Sequence, residues 1–210
     1  MTGLATSERS ELCDHALEVG EDRPTLCEGW TVKDLVAHLL LREGSPAAVG
    51  IVLPPLAGVT AAAMQRLERR PFEVLVERLR NGPPRFSPFA IPKVAELANT
   101  VEFFIHHEDI RRAQPGWQPR PLDEESERTL WSMLAAPGRA LTKRAPVGVS
   151  VQNVTTGGVK VLKAGTPAVT VVGTPGEVAL YVFGRGEQAR VELLGDEAAV
   201  ARLRDTDLGL

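Results

Sequence analysis

Through the first two thirds of the chain, apolar residues recur at helical spacing; from about residue 145 they alternate with polar ones. The helical part opens with a predicted helix capped by Thr6 or Ser7 and running to about Val19, with Leu12, His15, Ala16 and Val19 on one face. Residues 20–30 read as a loop from their Gly, Pro and acidic content. Thr31 is then a good N-cap, with Asp34 placed to complete a capping box, and Val32, Leu35 and Leu39 give the next helix its apolar stripe up to Gly44-Ser45-Pro46. Residues 47–57 are small, apolar and broken by Pro54-Pro55, and the pattern assigns them no state. Helices are predicted over 60–70 and, opened by Pro71, over 72–79. After a loop at 86–92, a long central helix covers 93–113 and stops at Gln114-Pro115-Gly116. A further helix runs from Asp123 to about Leu134, burying Leu130, Trp131 and Leu134, with 138–142 as an extension.

Beyond Ala145-Pro146 the texture changes. Residues 147–151, 159–162 and 168–172 alternate and are rich in Val, which predicts strands, and Thr156-Gly157-Gly158 suits a hairpin turn. A helix over 178–183, a strand over 190–194 and a terminal helix capped by Asp196 complete the pattern. The expected fold class is α+β: a helical domain over 1–144 followed by a small α+β domain over 145–210.

Composition narrows the partners. The 210 residues are 43% hydrophobic and 24% charged with a net charge of -3, ordinary for a globular domain. No basic face is concentrated in one place, so nucleic acid is not an expected partner. No apolar run reaches ~18 residues and the N-terminus lacks a signal-peptide core, so the expected setting is the cytoplasm, away from membranes, as monomer or homodimer. Cys13 and Cys27 are then expected to be free thiols.

The chemistry lies in the central helix, where two of the four histidines sit. Glu102 and His106 are one helical turn apart on a common face, flanked by Val101, Phe103, Phe104 and Ile105. An unpaired carboxylate in such surroundings is costly, which argues for a cation beside it. A third residue, His38, projects from another apolar helix, Leu35 to Leu41. His38, Glu102 and His106 are therefore the predicted ligands of one divalent metal, zinc first, with nickel, iron or manganese also suited. Three protein ligands leave room for water or substrate. His107 points about 100° away around the helix and is expected to be a supporting or surface residue. Asp109 can accept a hydrogen bond from a ligand imidazole, although pairing with Arg111 or Arg112 is the favoured reading. His15 is a further candidate ligand, and neither cysteine has an identifiable base near it.

With these residues in hand, the stretches Leu26-Cys27-Glu28-Gly29-Trp30-Thr31-Val32-Lys33-Asp34-Leu35-Val36-Ala37-His38-Leu39 and Glu102-Phe103-Phe104-Ile105-His106-His107-Glu108-Asp109-Ile110-Arg111-Arg112-Ala113 resemble the DinB-like metalloproteins of the mycothiol-dependent maleylpyruvate isomerase type, within them an actinobacterial branch. Thr174 to Arg185 resembles the small C-terminal domain of such isomerases. The resemblance implies an up-down-down-up four-helix bundle with metal ligands at His38, Glu102 and His106. It also implies a low-molecular-weight thiol such as mycothiol as cosubstrate, its thiolate held by the metal and added to a small electrophile in an isomerisation or S-transfer. Arg185 is a candidate for binding the cofactor or an anionic substrate, against a plainer role at a helix end. The other class of function is a non-catalytic metal- or ligand-binding protein whose ion is structural or sensory.

Overall fold

A computed structural model of the chain describes residues 3–48, 50 and 53–209. The chain forms two compact units, Met1–Gln118 and Pro119–Leu210.

The first unit holds α1 (Leu4–Val19), α2 (Val32–Gly44), α3 (Ala57–Glu68), α4 (Phe72–Arg80) and α5 (Pro92–Arg112), with short 3-10 turns at Pro46–Ala48, Pro54–Leu56 and Pro88–Ala90. The last two elements before α3 occupy part of the stretch 47–57, of which residues 49, 51 and 52 lie outside the described set. Helix α4 shows the rule the sequence used: Phe72, Leu75, Val76 and Leu79, at positions i, i+3, i+4 and i+7, are its buried residues. These side chains share one core with Leu12, Cys13 and Ala16 of α1, Val32, Leu35, Val36, Leu39 and Leu40 of α2, and Phe103 and Ile110 of α5. The start of α1 differs from expectation. The helix begins at Leu4 with Gly3 as an N-cap that makes no side-chain bond, while Ser7 Oγ donates back to Leu4 O at 3.0 Å. Ala5 is buried, so packing extends the helix one turn past the residues with better caps.

The second unit contains α6 (Glu124–Met133), α7 (Ala135–Thr142), β1 (Gly148–Asn153), β2 (Val159–Lys163), β3 (Ala168–Gly173), α8 (Pro175–Val182), β4 (Glu192–Gly195) and α9 (Glu197–Arg204). The sheet order is β2-β1-β3-β4, with β1 and β3 parallel and the outer pairs antiparallel. Alternation does its expected work in β1 and β3, where Val149, Val151, Val169 and Val171 are fully buried. In edge strand β2 the register instead turns Val159 and Val161 outward and buries Leu162. The hairpin turn is held by Asn153, whose Oδ1 accepts from the amides of Thr155 and Thr156.

The units part at Gln118, ahead of the change in texture at 144. Helices α6 and α7 carry helical periodicity, yet they pack on α8 and β2 and belong with the sheet. Period reports the local state of a segment, not the core it joins. The overall class is α+β, as expected. No described helix is long and apolar enough to cross a membrane.

Candidate metal centre

Two elements and one loop build the site. Helix α2 carries His38, and its start is fixed by a complete capping box: Asp34 N donates to Thr31 Oγ1 at 3.3 Å, and Thr31 N donates to Asp34 Oδ2 at 2.9 Å. The preceding loop is closed by Thr25 N to Trp30 O and Trp30 N to Cys27 O, both 3.0 Å, with Gly29 in the left-handed region at φ 74°. Leu26 N donates to Asp109 O at 3.1 Å, which ties this loop to α5. The loop thereby sets the Trp30 ring 5.0 Å from the His38 ring and brings Cys27 against α5.

Helix α5 supplies Glu102 and His106 from one face. Glu102 Oε1 lies 3.3 Å from His106 Nε2 and 3.7 Å from His38 Nε2. The two imidazole rings meet edge to face with centroids 5.4 Å apart. One donor atom from each of His38, Glu102 and His106 lies within 4.8 Å of the others. The contacts to Glu102 are longer than good hydrogen bonds. They match the roughly 3.3 Å expected between donors that share a tetrahedral ion at about 2.0–2.1 Å. Two imidazoles and a carboxylate are also a donor set suited to a borderline divalent metal. The residues therefore fit the ion that the sequence called for.

The three donors differ in their electrostatics. Burial alone raises the Glu102 carboxyl, but its contacts with His106 and His38 and the charge of Arg42 override that and hold it well below the usual carboxylate range. Arg42 Nε sits 3.2 Å from Glu102 Oε1, while its Nη1 donates to Asn99 Oδ1 at 2.6 Å. Burial pulls His38 below the ordinary imidazole value, in spite of Glu102. Burial acts on His106 the same way, yet Asp109, Cys27 and Glu102 more than reverse it and push His106 well above its ordinary value.

Behind His106 the structure shows what sequence reading left open. Asp109 is fully buried, and its Oδ2 lies 2.9 Å from His106 Nδ1. Arg111 Nη1 and Arg112 Nε donate to Glu108 at 2.8 and 2.6 Å. Cys27 Sγ donates to Asp109 Oδ2 at 3.3 Å and lies 4.0 Å from His106 Nδ1, so a histidine and a carboxylate do stand beside this thiol. Its place in the Leu26–Trp30 motif was the one available signal; the partners lie 79 and 82 residues away.

The other candidates fall elsewhere. His107 is buried rather than on the surface, with Nδ1 2.9 Å from Glu8 Oε2. His15 is paired with His107, their ring centroids 5.7 Å apart. Arg185 lies in the second unit at the end of α8, where its Nη1 donates to Phe183 O at 2.5 Å.

Residues 5–88 match the family described as Mycothiol maleylpyruvate isomerase N-terminal domain. Two solved structures share the fold. The crystal structure of a histidine-to-alanine mutant of the mycothiol-dependent maleylpyruvate isomerase is 18% identical, with a TM-score of 0.61. The crystal structure titled as that isomerase itself is 19% identical, with a TM-score of 0.57. Each comparison covers 90% of this chain and 90% of the other. No curated protein matches the chain. The family match covers the motif around His38, and the likeness in fold extends over 90% of the chain. Of the three candidate ligands, only His38 falls inside the matched segment.

Proposed function

We propose that this chain holds one divalent metal, zinc in the first instance, on His38, Glu102 and His106, and works in the cytoplasm as a mycothiol-dependent isomerase or transferase. The observation that carries the reading is the convergence of those three donors from two separate helices. The family match and the fold of the similar isomerases support the choice of thiol. When bound, such an ion lowers the pKa of a coordinated thiol and holds its thiolate ready to add to a small electrophile.

The protein's own part is positioning. Asp109 Oδ2 accepts a hydrogen bond from His106 Nδ1 and so turns Nε2 toward Glu102, where its lone pair would hold the ion. Arg42 pins Glu102 Oε1, and the Trp30 ring shields one face of His38. Glu102 stays ionised, so it serves as a ligand and not as a proton donor. Arg185 remains a candidate contact for an anionic cofactor or substrate group, and an unchanged KM in Arg185→Ala would remove it from that role.

One observation favours a different reading. Cys27, His106 and Asp109 also bring donor atoms within 4.8 Å of one another, at the Nδ1 edge of His106 and away from Glu102, an alternative seat for an ion. An ion held there would be structural or sensory. The test is elemental analysis of the purified protein, followed by calorimetric titration with mycothiol before and after metal removal. His38→Ala, Glu102→Ala and His106→Ala are each expected to lose the ion held by those three residues and the heat of thiol binding, and His107→Ala to keep the heat of thiol binding. Full metal retention in His106→Ala would overturn the assignment.

A further inference from the structure

The chain has four histidines, and they form two edge-to-face pairs. One pair is His38 with His106, at 5.4 Å and 70°; the other is His15 with His107, at 5.7 Å and 81°. The likeness goes further. His106 and His107 are neighbours on α5 and point to different sides of it, and each has its Nδ1 held by a carboxylate at 2.9 Å, Asp109 in one case and Glu8 in the other. At His106 that carboxylate lies outside the donor set with Glu102; at His107 it is itself one of the candidate donors.

The carboxylates complete the second group. On α1, Glu8, Glu11 and His15 are spaced i, i+3 and i+7, which puts them on one face. That face meets α5, since α1 packs against it. One donor atom from each of Glu8, Glu11 and His107 lies within 4.8 Å of the others. Glu8 and His107 are buried, at 1% and 3% exposure, while Glu11 is exposed and His15 half-buried. The group therefore has a fixed inner wall and an open outer side through which an ion can enter.

We infer that Glu8, Glu11 and His107 form a second seat for a borderline divalent cation such as zinc or nickel, on the seam between α1 and α5, with the His15 ring edge-on beside His107. Two carboxylates and one imidazole, drawn from two helices, make the ion a clasp between them. A plain Glu8–His107 ion pair would give the same 2.9 Å contact but would not need Glu11.

Glu11 decides the matter, and it is exposed and outside the buried pair, so Glu11→Gln leaves the fold intact. Metal-stripped, full-length protein is titrated with zinc against a chromophoric chelator. Wild type is expected to take up two equivalents. Glu11→Gln is expected to lose one, or to bind it at least about tenfold more weakly. His38→Ala is expected to lose the other and keep this one. Failure of the His38 site leaves its own signature, an uptake unaltered by His38→Ala but still sensitive to Glu11→Gln. Uptake that Glu11→Gln does not weaken would overturn the second seat.

Discussion

Asp109 Oδ2 lies 2.9 Å from His106 Nδ1, three residues along the same helix, and this contact decides which nitrogen of the ring faces Glu102. Removing it frees the ring to flip and lowers its basicity. Asp109→Ala is therefore expected to weaken zinc binding at the His38 group by about 10–100-fold while leaving every ligand in place. Chelator competition measures this, with near-ultraviolet circular dichroism to confirm the fold. Wild-type affinity in that variant would show that Asp109 has no part in orienting the ligand.

The buried Arg9–Glu43 pair is expected to dominate the stability of the first unit's polar interior. Arg9 grips Glu43 with two bonds of 2.6 Å, Nη1 to Oε2 and Nη2 to Oε1, and Nη1 also donates to Leu79 O at 3.0 Å. The guanidinium lies 4.4 Å from the centroid of Phe103, and Asn99 Nδ2 donates to Glu43 Oε1. Glu43 is only 3% exposed. Arg9→Ala thus strands a buried carboxylate and should cost about 3–5 kcal/mol in urea denaturation. The double variant Arg9→Met/Glu43→Leu should recover much of that, because no charge is then left unpaired. A loss below ~1 kcal/mol in the single variant would mean that solvent reaches Glu43.

What could be read from the sequence follows a physical line. The capping box at Thr31 and Asp34, the helix stripe of α4 and the shared face of Glu102 and His106 are local, and local spacing reveals them. The pairing of Glu108 with Arg111 and Arg112, three and four residues on, is local as well. The thiol of Cys27 beside His106 and the Glu8–His107 contact are not local, since they join residues 79 and 99 positions apart. The same reason explains the helices α6 and α7: their own periodicity is helical, and only the pairing with β2 and α8 shows which core they serve.

Cys13 should be inert at neutral pH and should destabilise the protein in alkali. It is fully buried, with Sγ 3.7 Å from Val76 O, and burial pushes its thiol up from 9.0 to about 11. Below pH 9 both folded and unfolded chains carry the proton. Between pH 9 and about 11 only the unfolded chain ionises, so stability is lost across that window, by about 2–3 kcal/mol in all. Cys13→Ala should remove that part of the alkaline loss, seen in urea midpoints from pH 8 to 11. Iodoacetamide at pH 8 should leave Cys13 unmodified in the folded protein and label it fully in urea, as read by peptide mass spectrometry. Labelling of the folded protein at the rate of a free thiol would refute the burial argument.

The state of the coordination shell separates an enzyme from a structural or sensory ion. His38, Glu102 and His106 offer three bonds, one of them anionic, so a divalent ion there keeps a net charge of about +1 and, as zinc, lacks one of its usual four ligands. An arriving thiol has a free pKa near ~8.5 and loses its proton on coordination. Cobalt-loaded protein is therefore expected to develop a sulfur-to-metal charge-transfer band when mycothiol is added, and to lose the response in His38→Ala. The group at Glu8, Glu11 and His107 offers only nitrogen and oxygen and adds nothing to that band. Cys27 supplies the opposing case, because its sulfur stands 4.0 Å from His106 Nδ1, on the edge of the ring that Asp109 holds. A band already present without mycothiol, abolished by Cys27→Ser, would mean that the ion sits with Cys27, His106 and Asp109 instead of with Glu102. The ion would then be structural or sensory, and the thiol-dependent reaction would have no ion on the Glu102 side of His106 at which to begin.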